Sequence, residues 1–402
     1  MPKYAVRAGL GASLKARLKA SLAGLAFALP ALAPAHADVT PLVLPAGQAE
    51  LFLNGSAEGA LFGPRQPGNG DAASGILRFS PTLKRSYDSG FSWSLNATLA
   101  ASDSLSRGRY DGDVLEKAYA ETSLLLTTIR VGQADGAAYN LAVSGPRAGQ
   151  AIDDAQISYF RDPFTGRAVT DQFALRTAVG SSSNFAKISL ESPTLFGITL
   201  AFSFTPSEGK NVIPWLSPGP QATGRQATIW EGAIRYSDDF GPFTLSAYAA
   251  MADGRAERKL PGQEGIGDYG LGVRADYYLD DTLTLSLGGS WRQSNAYAFD
   301  IHRSYDGPTT RAMDISAGLS WENWSFAMEY ANGSAAAIPG QPRLTLNGTQ
   351  ISLAYELDRS VSISTGWQHL GYGRDAGVFY DGSQRLSLDA LYVQLSLKTV
   401  PE

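Results

Sequence analysis

Arg78, Lys84, Lys117, Glu121, Arg130, Lys187 and Arg235 each sit at a polar position of a segment that alternates polar and apolar residues. Asp153, Asp154 and Asp162 lie elsewhere, on the stretch from Ala134 to Ser183, where the alternation lapses into Gly, Pro, Asp and Arg. A basic wall opposed by an acidic loop sets up a transverse field. Such a field orients polar solutes and disfavours apolar ones, which would have to displace ordered water. Arg147, Arg161 and Arg167 share the loop, so its sign is not purely acidic. Tyr119 and Tyr248 also phase with the polar side, but they are isolated.

Other chemistries find less material. The chain has no cysteine, which removes disulfides and thiolate metal sites. Beyond the leader the only histidines are His302 and His369, too few for a metal cluster. Asp111-Gly112-Asp113 and Asp253 to Glu257 fall short of the ligand count of a dedicated calcium loop and read as solvated charge. A barrel hydrolase is the rival class, with His302 or His369 partnering Ser304 or Asp375.

The elements that must position these charges are strands. From Phe91 to Ala101, Phe91, Trp93, Leu95, Ala97, Leu99 and Ala101 fall on one face, while Ser92, Ser94, Asn96, Thr98 and Ala100 fall on the other. One face suits lipid and the other suits water. The split recurs in Ile198, Leu200, Phe202 and Phe204, in Leu283, Leu285, Leu287 and Trp291, and in Trp324, Phe326, Met328 and Tyr330.

Such runs predict sixteen strands, near 48–62, 75–87, 91–102, 115–124, 128–134, 184–192, 197–205, 227–237, 243–253, 265–279, 282–294, 311–321, 324–333, 346–357, 361–373 and 385–398. Tight Asp-, Asn-, Gly- and Ser-bearing turns alternate with long connections. Tyr87, Trp93, Tyr236, Phe240, Phe243, Tyr277, Tyr278, Trp321, Trp324 and Tyr355 cluster by the tight turns, as an interfacial aromatic girdle does. A soluble sandwich or propeller has no reason for either regularity. The expected fold is all-β: a sixteen-stranded antiparallel transmembrane β-barrel with short periplasmic turns, long external loops and a long third loop over residues 135–183.

Composition agrees with an exported barrel. The sequence has 402 residues, with 44% hydrophobic and 10% aromatic residues, yet no window beyond the leader holds 18 consecutive apolar residues, and 43 Gly with 21 Pro oppose long helices. Residues 1–37 carry five basic residues, an apolar run from Ala20 to Leu32 and Ala35-His36-Ala37, the pattern of a cleaved signal peptide. Its removal leaves 28 of 33 basic residues against 38 acidic ones, a formal charge of -10 that argues against a nucleic-acid partner. The barrel domain is then 38–402.

Short motifs carry a family resemblance. Asn184 to Pro206, NFAKISLESPTLFGITLAFSFTP, resembles the hairpin after the third loop in general porins of Gram-negative outer membranes. Asp239-Phe240-Gly241-Pro242-Phe243 resembles one of their later turns, and Ala118 to Glu121 followed by Ile129 to Gly132 resembles their fourth and fifth strands. The resemblance implies a homotrimer in the outer membrane, in contact with lipid and lipopolysaccharide, that passes small hydrophilic solutes and ions without a cofactor. It also implies a third loop folded into the lumen, which makes the ten charged residues named first a pore constriction. A channel specific for sugars or carboxylates is the alternative within this class. The chain departs from the usual outer-membrane ending, which is aromatic, by closing on Val400-Pro401-Glu402.

Overall fold

The computed structural model describes residues 42–63, 73–102, 115–124, 126–152, 175–208, 226–257, 259–297, 300–305, 310–336, 343–374 and 385–399. Sixteen long strands form the wall: β1 (Ala49–Gly63), β2 (Ala73–Ser86), β3 (Ser92–Ser102), β4 (Leu115–Leu124), β5 (Thr127–Gln133), β6 (Ala186–Glu191), β7 (Ile198–Ser207) and β8 (Gln226–Asp239) make one half. The other half is β9 (Phe243–Ala256), β10 (Gly267–Tyr278), β11 (Leu283–Ser294), β12 (Thr310–Trp321), β13 (Trp324–Ala336), β14 (Arg343–Glu356), β15 (Val361–Arg374) and β16 (Arg385–Lys398). Each pairs antiparallel with its chain neighbours, and β1 pairs with β16 from Ser56↔Lys398 to Gly63↔Leu391, closing the barrel. Closure satisfies the backbone groups that lipid cannot.

The wall is inverted relative to a soluble protein. On β7, Leu200 and Phe202 are 52% and 48% exposed, while Thr199, Ser203 and Thr205 are buried. The same alternation runs through β11, β12 and β13. Large apolar side chains facing out and small polar ones facing in are what lipid outside and water or loop inside demand. No helix among the described residues is long and apolar enough to cross a membrane; the strands do so. Near the tight turns Trp324 and Tyr355 pack with ring centroids 4.5 Å apart. Asp358 Oδ1 accepts the backbone N–H groups of Ser360 and Val361, closing the last tight turn without strain.

The long strands match the sixteen expected, with boundaries moved by a few residues. Four short strands lie outside that expectation, being too brief to alternate over ten positions. Leu42–Ala46 pairs with the first residues of β1, from Leu42↔Leu53 to Ala46↔Ala49. It runs along the same edge of β1 that β16 occupies further on, and the Thr399 N–H donates to the Gly55 carbonyl at 2.9 Å between the two. The edge of β1 is thereby covered by segments from both ends of the described chain. Gln263–Glu264, Ala296–Tyr297 and Asp300–Tyr305 form a small separate sheet on two long connections.

Candidate functional site

The inner faces of β1 to β6 carry a line of ion pairs. Arg78 Nε lies 3.0 Å from Glu116 Oε2, with Glu58 at 4.0 Å from its Nη1. Lys117 Nζ meets Asp135 Oδ2 at 2.5 Å. Arg130 bridges two carboxylates, Glu121 at 2.7 Å and Glu191 at 2.9 Å. Cross-strand register builds this row, since Glu121 stands opposite Arg130.

One member needs a departure from alternation. Thr98 pairs with Lys117 but Leu99 pairs with Leu115, so Glu116 is an extra residue on β4, a bulge. The bulge lets the adjacent Glu116 and Lys117 line the same cavity. Strict alternation had assigned only Lys117 to that side. Glu191 needed no such device: it shares the phase of Lys187, and counting on by two would have found it.

The long connection between β5 and β6 touches the inner faces of nearly all the remaining strands. It opens with a short helix, α1 (Ala137–Asn140). Glu231 of β8 accepts the backbone N–H of Ser182 at 2.9 Å and that of Ala138 at 3.4 Å. Tyr248 of β9 donates its hydroxyl to the Ala138 carbonyl at 2.8 Å. Further along, Ser181 donates to Asp268 on β10, and Thr177 to Asp314 on β12. Gln350 on β14 donates to the Gln150 carbonyl. Ala137, Ala138, Leu141, Val143 and Val179 of the loop bury against Ala201, Ala233, Tyr248 and Ala252 of the wall. Asp268 is itself fixed by a two-pronged bond from Arg292, at 2.8 and 2.7 Å, with both side chains almost fully buried.

Glycine admits the loop backbone to the wall. A Cβ at Gly272 would stand 2.0 Å from the Val143 carbonyl oxygen, and one at Gly145 would stand 1.9 Å from Ser316 Oγ. Between this loop and the ion-paired wall lies a cavity of about 510 Å³, bordered by Arg78, Glu116, Lys117 and Asp135 on one side and by Tyr139, Arg147 and Arg176 on the other.

The charged residues singled out from sequence therefore separate into groups. Arg78, Lys117, Glu121 and Arg130 belong to the ion-pair row. Lys84 is exposed on the inner phase of β2, in register with Glu50, and Arg235 is half-buried on β8 opposite Thr199 and Tyr248. Lys187 differs from the expectation of an open wall charge. Its side chain is fully buried, and the ammonium donates to the carbonyls of Ala134, Ser182 and Ser183. A buried ammonium needs acceptors, and the two ends of the loop supply them. Asp153, Asp154 and Asp162 lie outside the described residues, as do Asp111 to Asp113 and Asp375. His369 is on β15, where its ring pairs with Asp389 and Ser387, not with a loop residue.

Comparison with known proteins agrees with this architecture. The family model described as Gram-negative porin matches residues 20–370. Among curated proteins none matches the sequence. Similar solved structures include Salmonella typhi OmpF in complex with daunomycin, at 10% identity and a TM-score of 0.54, covering 89% of this chain and 100% of that one. The anion-selective porin from Comamonas acidovorans is similar at 14% identity and 0.53, covering 87% and 99%. The outer membrane channel DcaP of Acinetobacter baumannii gives 10% and 0.52, covering 89% and 99%. At these identities the likeness is one of fold.

Proposed function

Because the chain belongs to the Gram-negative porin family, we propose that it forms a water-filled outer-membrane channel through which small hydrophilic solutes and ions diffuse passively. The described parts of the third loop, residues 135–152 and 175–183, fold into the barrel and narrow it. The observation that carries this reading is the set of hydrogen bonds from loop residues to inner-face side chains on strands as far apart as β8 and β14. An external loop lying over the mouth would not reach them. The remaining gap is bordered by Arg78, Glu116, Lys117 and Asp135, so a solute passes between charges of both signs. Diffusion through such a gap needs no catalytic group.

In this reading Asp153, Asp154 and Asp162 add negative charge to the loop, and replacement of Asp153 and Asp154 by Asn lowers cation preference. Export follows cleavage of residues 1–37, the barrels assemble as a homotrimer, and lipopolysaccharide meets the external loops. A carboxylate-selective channel is the second reading. It is favoured by the four basic side chains of the cavity, Arg78, Lys117, Arg147 and Arg176.

Planar-bilayer recording of the purified protein tests both. Ohmic openings of high conductance, closing in steps of three, are expected. Saturable block by one small carboxylate would move the assignment to the specific channel, and absence of conductance would overturn both readings.

A further inference from the structure

The outer faces of the last strands bring together a carboxylate, an imidazole and a hydroxyl that the channel does not use. On β15 and β16, His369 Nδ1 lies 2.9 Å from Asp389 Oδ1, and Ser387 Oγ lies 3.3 Å from His369 Nε2. Register sets this up: His369 stands opposite Asp389, while Ser387 is one step along the same face, opposite Gly371. The order is carboxylate, imidazole, hydroxyl. In the tautomer protonated at Nδ1, Asp389 accepts that proton and Nε2 is left as a base directed at the serine.

Two neighbours complete the surroundings. Asn347 pairs with Gly371, and its side chain occupies the space a Cβ there would need, 2.3 Å from its Oδ1. That places a carboxamide in the same cross-strand row as Ser387. Trp367 stacks on the His369 ring with centroids 6.0 Å apart.

All of these side chains share the face of Leu391 and Val393, which are 58% and 51% exposed and directed to lipid. His369 is eight residues from the start of β15 at its tight-turn end, a rise of roughly 20 Å for a strand tilted about 40°. The apolar band of such barrels is about 25 Å tall. Below His369 this face is Ile363 and Val393; above it come Ser387 and Asn347. The hydroxyl thus stands where the apolar band gives way to headgroups, the level of a lipid's ester bonds.

We propose that Ser387, His369 and Asp389 form a second, lipid-facing site that hydrolyses acyl esters of outer-leaflet lipids. Ser387 Oγ adds to the ester carbonyl carbon while its proton passes to His369 Nε2, and the Asn347 carboxamide donates to the developing oxyanion. Collapse breaks the ester C–O bond, and the departing alcohol takes the proton from Nε2. Water then attacks the acyl-serine by the same route, giving the free carboxylate and restoring Ser387. The 3.3 Å serine contact is long for a resting hydrogen bond, as apo hydrolytic sites often are.

The test uses the full barrel reconstituted in phosphatidylcholine vesicles, with an alkyl fluorophosphonate as active-site probe. The wild type should release fatty acid and carry one phosphonyl adduct, on Ser387. Ser387→Ala should lose both, and His369→Gln should lower release by on the order of 10²-fold or more. Asp389→Asn, which upsets the imidazole tautomer, should also lower it. Each variant should keep wild-type conductance, which reports a folded barrel and does not depend on this site. Release that survives Ser387→Ala, or a conducting wild type with neither adduct nor release above protein-free vesicles, would overturn the proposal.

Discussion

The two sides of the barrel interior are built on opposite plans. From β2 to β6 the inner face carries long charged side chains: Arg78 pairs with Glu116 and Arg130 with Glu121 and Glu191 at 2.7–3.0 Å, while Lys117 reaches Asp135 at the start of the loop. From β10 to β15 it is rich in Gly270, Gly272, Gly288, Gly318, Gly348, Ser290, Ser316 and Ser364, and there the loop backbone lies against the wall. The long side chains of Arg78, Glu116 and Lys117 border the cavity of about 510 Å³. Glycine and serine let backbone approach, at an intrinsic cost of about 0.5–1 kcal/mol per strand glycine that loop contact must offset. In the proposed channel, this difference lets one loop cross the barrel without sealing it: the loop adheres to the small-residue side, and the cavity remains on the charged side.

Lys187, on the charged side, binds the loop directly, as the buried Glu231, Asp268 and Asp314 do further round the wall. Replacing it with Met keeps its length while removing every donor to the Ala134, Ser182 and Ser183 carbonyls. Glu231, which binds the same two loop ends, would then lose the electrostatic attraction of the Lys187 ammonium. Breaking a buried charged arrangement of this kind costs about 3–5 kcal/mol. Lys187→Met should lower the thermal unfolding midpoint of the detergent-solubilised barrel by the largest margin of any single change considered. It should also open the loop ends to protease. An unchanged midpoint would mean the loop is held mainly by its glycine contacts.

Those contacts come next. Gly272→Val places a Cβ 2.0 Å from the Val143 carbonyl oxygen, a clash with backbone that no side-chain rotation relieves. Overpacking of this sort costs roughly 1–3 kcal/mol. The loop backbone should move off β10 toward the charged side, so single-channel conductance should fall. Equal or larger conductance would show that the loop leaves the lumen altogether, or that this wall does not bound the pore.

Much of the architecture was readable because the lipid-facing half of each strand is an unbroken apolar series. Phe91, Trp93, Leu95 and Leu99 declare β3 regardless of what the inner face does. The inner face itself was readable only where strict alternation held, as for Arg78 and Arg130. At Glu116 a bulge shifts the phase by one, and nothing in Leu115-Glu116-Lys117-Ala118 announces which residue is the extra one. Lys187 had the right face but the wrong surroundings, because burial depends on a loop about 50 positions away from the acceptor at Ala134 to fold back beside it. The glycines of β10 to β14 were visible as composition, yet what they admit is backbone from elsewhere, and no local pattern names it. The pair of His369 with Asp389 was illegible for a similar reason, since the two are cross-strand partners 20 residues apart.

The mildest change should fall on the charged side. Lys117 and Asp135 are each about a quarter exposed, so their pair is screened and contributes at most about 1 kcal/mol. Lys117→Gln should therefore leave the unfolding midpoint close to wild type. Its effect is electrostatic: one positive charge leaves the cavity wall while the Asp135 carboxylate stays, and Glu116 beside it remains on Arg78. Cation permeability should rise relative to anion permeability, shifting the reversal potential in a salt gradient toward the cation equilibrium value. A charged wall that tunes passage and a small-residue wall that holds the loop would thus respond separately, one in selectivity and the other in stability. If Lys117→Gln instead destabilises the barrel as Lys187→Met does, the charged row is also an anchor for the loop through Asp135, and the two sides of the interior do not divide the work.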